Sequence, residues 1–182
     1  MLYVILKIGI FNTKEGLARM IKMINDKEFL HIIKDLTENC KVQELKNYRQ
    51  HYNTSRFAHC LQVSYISYLI CKKFKLDYRA AARSGMLHDL FLYDWRKKSN
   101  ERQPYHGFSH PRTALENSLE ITALSIKEQD IIVKHMWPLT VILPKYKESY
   151  IVCFVDKYCT LAETFRYYKS KNKVKLLTRT VQ

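Results

Sequence analysis

The chain has 182 residues, 47% hydrophobic and 26% charged, with a formal net charge of +14. That length suits one domain with one core, and the composition excludes wholesale disorder. Five cysteines without a CxxC pair exclude a disulfide framework or a zinc-thiolate site and point to a reducing, cytoplasmic setting.

With only four glycines and four prolines, the chain is built for long helices rather than many short strands. The apolar start, Met1 to Phe11, carries Lys7 and Gly9. It is far shorter than the about 20 residues that cross a bilayer, and it lacks the basic start and cleavage site of a signal peptide. It is expected as an irregular segment docked on the core, and no membrane span is expected anywhere.

Apolar spacing through Leu17, Met20, Ile21 and Ile24, then Phe29, Ile32, Ile33 and Leu36, predicts helices over 14–24 and 26–38. Residues 39–50 are expected to be helical too. A long helix follows the cap candidates Asn53-Thr54-Ser55 and carries Phe57, Leu61, Ile66, Leu69 and Ile70. Asp77 caps the next, which runs through Ala80-Ala81-Ala82 to His88. Residues 91–108, with Pro104, read as a loop. Ser109-His110-Pro111 opens a further helix, with proline in the first turn. Ser125-Ile126-Lys127-Glu128 fits a capping box. Pro138 and Pro144 bracket a loop, and a final helix spans Lys147 to Tyr167. The expectation is all-α, seven to nine helices, with an N-terminal helical segment (1–50), a main domain (51–168) and a basic, frayed tail (169–182). Cys60, Cys71, Cys153 and Cys159 sit in apolar stretches and read as buried small hydrophobes.

Four polar residues interrupt those apolar helices. His59 lies between Ala58 and Cys60, His88-Asp89 ends the alanine-rich helix, and Asp156 breaks Ile151-Val152-Cys153-Phe154-Val155. A buried carboxylate without a cation costs several kcal/mol. Lys157 is next in sequence, but helix neighbours point about 100° apart, so a metal is the better partner for Asp156. A lone buried histidine is more often a core residue than a ligand; a set ordered H…HD…D, each in an apolar stretch, is different. Imidazoles with carboxylates suit manganese, zinc, nickel or iron.

The order His59…His88-Asp89…Asp156, with Leu87-His88-Asp89-Leu90, Gly107-Phe108-Ser109-His110-Pro111 and Lys134-His135-Met136-Trp137-Pro138, resembles the HD superfamily of metal-dependent phosphohydrolases over residues 50–165. The resemblance implies a helical bundle on which His59, His88, Asp89 and Asp156 hold one divalent metal. It implies His110 and His135 as ligands of a second, with Asp89 as the bridging, catalytically essential carboxylate. His106 is expected to contact substrate or donate a proton. The Gly-Tyr-Pro signature of the cyclic-di-GMP hydrolases is missing. His31 and His51 have no motif context and are read as surface residues.

The expected activity is hydrolysis of a phosphate mono- or diester, such as a nucleotide, by metal-activated water. Arg56, Arg83, Arg112, Lys134 and Lys157 lie near the ligands in sequence and are candidates for phosphate contact. Arg56, three residues before His59 and on its helical face, is the foremost, with Lys157 and His106. The loop from Phe91 to Phe108 is placed to cover a nucleobase. Two alternatives share the residues: a di-iron oxygenase of the same superfamily, and a basic nucleic-acid-binding module with a non-catalytic metal site.

Overall fold

The computed structural model describes residues 14–52, 54–96 and 106–179. Met1 to Phe11, Asn53, Lys97-Lys98 and Pro104 lie outside them. The described residues are all-α, with nine α-helices and one two-stranded hairpin. In chain order these are α1 (Lys14–Asn25), α2 (Lys27–Ile32), α3 (Lys34–Glu38), α4 (Cys40–Glu44), a 3₁₀ turn (Leu45–Asn47), β1 (Arg49–His51), β2 (Thr54–Ser55), α5 (Arg56–Lys73), α6 (Tyr78–Leu87), α7 (His106–Leu119), α8 (Ile126–Lys134) and α9 (Lys147–Arg179). No helix among them is long and apolar enough to cross a membrane.

Local chemistry sets most helix starts. Ser55 Oγ accepts from Ala58 N, Asp77 Oδ1 accepts from Ala80 N, and Ser125 with Glu128 completes the capping box. Four boundaries differ from the expectation. The helix predicted over 26–38 breaks at Ile33, whose N–H bonds Phe29 O and His31 O while its own φ and ψ leave the helical region. Residues 39–50 are helical only in their first part, as α4 and the 3₁₀ turn; from Arg49 the chain turns to strand, and β1 and β2 pair antiparallel, Arg49 with Ser55 and His51 with Thr54, about a turn where Tyr52 takes a positive φ of 50°. Helix α7 begins at His106, so Pro111 lies inside it rather than in its first turn. Helix α9 continues to Arg179, so the basic tail is helical beyond Tyr167.

The core forms around α5. Phe29, Ile32, Ile33, Leu36, Val42 and Leu45 from the N-terminal helices pack with Phe57, Leu61, Tyr65 and Tyr68 of α5 and with Met86 and Leu87 of α6. A second cluster joins Val63 and Cys71 of α5 to Ala80 and Ala81, Ile131, and Val152, Val155 and Cys159 of α9. Helices α5 and α6 come unusually close: a Cβ on Gly85 would stand 2.7 Å from Ser64 Cα, and Ser64 Oγ donates to Ala82 O at 2.6 Å. The small residues of α6 permit that approach, and it brings the His59 turn of α5 against the His88 end of α6. Cys60, Cys71, Cys153 and Cys159 are buried and take part in no disulfide among the described residues, and burial pushes the Cys71 thiol up to about 12.

Candidate metal centre

Five helices deliver polar side chains to one buried point. His59 comes from the first turn of α5, His88 and Asp89 from the C-terminal end of α6, His110 from α7, His135 from the end of α8, and Asp156 from α9. All six are buried. His59 Nε2 is 2.9 Å from Asp156 Oδ1, and His88 Nε2 is 3.6 Å from that oxygen and 3.5 Å from Asp89 Oδ2. On the other side, His110 Nε2 and His135 Nε2 are 2.9 Å apart and lie 3.3 and 3.6 Å from Asp89 Oδ1. Asp89 therefore turns one oxygen toward each side. The structure thus brings together all six residues expected as ligands.

The orientation of the rings tests whether these atoms suit a cation. Three histidines commit Nδ1 to a backbone carbonyl one helical turn back: His88 to Gly85 O at 2.9 Å, His110 to His106 O at 2.7 Å, and His135 to Ile132 O at 2.8 Å. A carbonyl only accepts, so each Nδ1 carries hydrogen, and each Nε2, whenever its ring is neutral, presents a lone pair to the cluster. At most one proton fits between His110 and His135. His88 Nε2 and Asp89 Oδ1 are buried with no hydrogen-bond partner among the described residues. Acceptors aimed at acceptors in a buried space are repulsive unless a cation joins them. Backbone carbonyls behind the ligating imidazoles are the usual outer support of a metal site. The donor set fits a divalent metal ion.

Electrostatics divide the cluster. Burial disfavours the charged form of every group here. At His59 that effect is outweighed by Glu163 and Asp156, and at His88 chiefly by Asp89, so both imidazoles are held well above their ordinary range. His135 is driven down to about 3, by burial first and then by His110 and His88. Asp89 and Asp156 are held far below the usual carboxylate range, because neighbouring imidazoles outweigh their burial.

Three residues were not singled out in the sequence. Glu163, seven residues after Asp156 on the same face of α9, accepts from His59 Nδ1 at 3.1 Å and is itself buried. Its spacing from Asp156 was a readable signal. Gln50, in β1, donates to Asp89 Oδ2. His51 is half-buried rather than a free surface residue: its ring centre lies 5.6 Å from that of His59, and its Nε2 is 3.2 Å from Thr160 Oγ1. His51, His59 and Glu163 form a further group able to converge on an ion, beside His59–His88–Asp89, His88–His135–Asp156 and Asp89–His110–His135. His31 is exposed, as expected.

The expected phosphate-binding cations have other partners. Arg56 is fully buried; Nε donates to Gln50 Oε1 at 2.8 Å, Nη1 to Phe91 O and Nη2 to Tyr93 O at 3.2 Å, and the guanidinium lies 3.5 Å from the centre of the Phe91 ring. It pins the segment after Asp89 and orients the Gln50 amide. Lys157 Nζ donates to His135 O at 2.9 Å and stays close to Cys153. Arg83 bonds Ile32 O, Asp35 and Thr122, Lys134 pairs with Asp130, and Arg112 pairs with Glu116 on the surface. His106 stands at the edge of the cluster, half-buried. It stacks on His110 at 4.6 Å and on Trp95 at 5.5 Å, with Nδ1 2.9 Å from Tyr93 Oη.

Comparison with protein-family models, with curated proteins and with solved structures gives no match. The likeness to the HD superfamily therefore rests on the motif order and on this cluster, and what the residues establish is a buried His/Asp group that could hold a metal ion.

Proposed function

We propose that this chain is a cytoplasmic, HD-type, metal-dependent phosphohydrolase acting on a phosphate mono- or diester, a nucleotide among them. One observation carries the proposal: Asp89 sits between two sets of buried lone pairs, His59–His88–Asp156 and His110–His135, with one oxygen toward each. Those residues would hold one divalent ion or two. An ion held there would supply a Lewis acid for a phosphoryl oxygen and would lower the pKa of a water toward neutrality.

The chain's own residues supply the rest. His59, His88, His110, His135 and Asp156 fix the coordination, with Gly85, His106 and Ile132 carbonyls holding three of the rings in orientation. Glu163 steadies His59, and Gln50 steadies Asp89. His106 stands at the edge beside His110, suited to contact substrate and to pass a proton to the leaving oxygen, with Tyr93 Oη oriented on its Nδ1. The +14 charge favours a phosphorylated ligand.

The test is elemental analysis of the purified chain, then a panel of phosphate monoesters, diesters and nucleotides with manganese, nickel, zinc and iron. Metal-dependent phosphate release that falls by at least about 100-fold in Asp89→Ala supports the proposal. Oxygen uptake by the iron form without phosphate release replaces it with the di-iron oxygenase. Salt-dependent nucleic-acid binding without turnover replaces it with the binding module.

A further inference from the structure

Helix α9 carries its ligand on one face and something quite different on the other. Phe154, Tyr158, Leu161, Phe165 and Tyr168 recur at steps of four, three, four and three residues. Their relative exposures are 56%, 53%, 69%, 70% and 50%. At about 100° per residue they form one stripe, centred roughly 160° around the helix from Asp156. The alternation averages 3.5 residues, the spacing by which one helix meets another along a seam. Monomeric proteins rarely leave a contiguous apolar patch larger than a few hundred Å² uncovered.

The patch continues off the helix. The Trp137 ring centre lies 6.1 Å from that of Phe154 and 5.6 Å from that of Tyr150. From Trp137 springs a loop whose Leu139, Val141, Ile142 and Leu143 are 50–89% exposed. A large aromatic side chain covers about 150–250 Å² when fully buried. Five half-exposed stripe residues and four loop residues thus offer on the order of 800 Å², about what one partner contributes to a stable interface.

We infer that this chain forms a homodimer in which the α9 stripes of two copies pack antiparallel across a two-fold axis at Leu161. The stripe is self-complementary in that direction, setting Leu161 against Leu161, Tyr158 against Phe165 and Phe154 against Tyr168. Charge selects the direction as well. Lys169 and Lys171 lie on the exposed surface of the same helix. A parallel pair would place them beside their own copies. The antiparallel pair separates Lys169 from its copy by roughly 24 Å at 1.5 Å per residue, well beyond the about 8 Å screening length at physiological salt. The interface and the ligand Asp156 then share one helix, on opposite faces. The inference does not depend on which reaction the metal centre performs.

The experiment is sedimentation equilibrium of the full chain from 1 to 100 µM, for wild type and Leu161→Glu, with helical circular dichroism confirming that the variant folds. The expected result is a wild-type dimer and at least about 100-fold weaker association in the variant, since two carboxylates would meet on the axis. In a Cys40→Ser background, Leu161→Cys should form an inter-chain disulfide under mild oxidation at least tenfold faster than Phe165→Cys. In the antiparallel pair, position 165 lies roughly 12 Å along the axis from its copy, too far to bridge. A wild-type monomer throughout, an unweakened Leu161→Glu dimer, or equal cross-linking by the two cysteine variants would overturn the inference. So would a monomer that instead sediments with phosphatidylserine-containing vesicles through Leu161.

Discussion

Helix α6 serves two polar clusters, a half-buried one around Arg83 and a fully buried one around Asp89, and they differ in how their groups are satisfied. Around Arg83, each guanidinium nitrogen has a partner: Nη1 bonds Ile32 O and Asp35, Nη2 bonds Thr122 Oγ1, and Nε lies 3.4 Å from Glu128, whose other oxygen is held by Ser125. At the C-terminal end of the helix, around Asp89, neutral imidazoles and carboxylates would set acceptors against acceptors, and His88 Nε2 and Asp89 Oδ1 have no hydrogen-bond partner among the described residues. The first cluster is complete in its own atoms and ties α2, α6 and α8 together. The second is complete only with a cation. Burial and polarity alone do not mark a functional site; what distinguishes it is that its valences are left over.

The sharpest way to break this comparison is to substitute the centre of each cluster. Asp89→Ala removes the carboxylate shared by both halves of the metal centre. Metal content should fall by at least one equivalent per chain, with turnover falling as stated above. Arg83→Met should leave metal content unchanged. Its cost is stability, about 1–3 kcal/mol, because Glu128 and the Ile32 carbonyl lose a buried charged donor. Elemental analysis and urea unfolding of both variants read the two effects separately. Loss of metal from Arg83→Met would show that the clusters are not independent.

A smaller effect sharpens the comparison inside the metal centre. Gln50 gives Asp89 Oδ2 its amide hydrogen, and Arg56 holds that amide the right way round by donating to its oxygen. Gln50→Leu keeps the volume and removes the hydrogen bond. Metal affinity should weaken by about 10–100-fold, the range for an outer-shell partner, while the melting temperature of the metal-free protein changes little. Competition with a chromogenic chelator measures the affinity. Unchanged affinity would mean that Asp89 is placed by its own backbone alone.

Much of this was legible in the sequence, for identifiable reasons. Ser55, Asp77 and Ser125 announced their helices because capping is local chemistry. His59, His88, Asp89 and Asp156 stood out because each interrupts an apolar run. Gln50 did not, because its burial comes from a hairpin of three and two residues that only tertiary packing sustains. The same hairpin carries His51 to the cluster. Arg56 was correctly placed beside His59, but its donors are met by Phe91 and Tyr93 carbonyls 35 and 37 residues further on, a long-range pairing that no local spacing reveals. The α9 stripe was visible as a pattern; its meaning depends on exposure, which the pattern does not contain.

The smallest expected effect concerns acid, and it separates the clusters by what holds their carboxylates. Burial pushes the Asp35 carboxyl up, but the hydrogen bond and charge of Arg83 outweigh it, so the folded value lies below the ordinary 3.8. A carboxylate depressed on folding adds stability above its unfolded pKa, and that stability is lost as pH falls through the folded one. The window therefore opens just below pH 4. The Asp35 side chain is 56% exposed, so screening keeps the contribution under about 1 kcal/mol. Carboxyl NMR of the wild type should show Asp35 titrating below 3.8, and Arg83→Met should return it toward that value. The urea midpoint of the wild type should accordingly fall more steeply as pH drops below about 4 than that of Arg83→Met. The Asp89 cluster provides the control: imidazoles rather than Arg83 hold its carboxylates, and Arg83→Met should leave metal binding at neutral pH as it was. An Asp35 titration indifferent to Arg83 would mean that the pair is a surface contact with no energetic weight, and the contrast between a self-satisfied cluster and a cation-seeking one would then rest on Glu128, Thr122 and the Ile32 carbonyl.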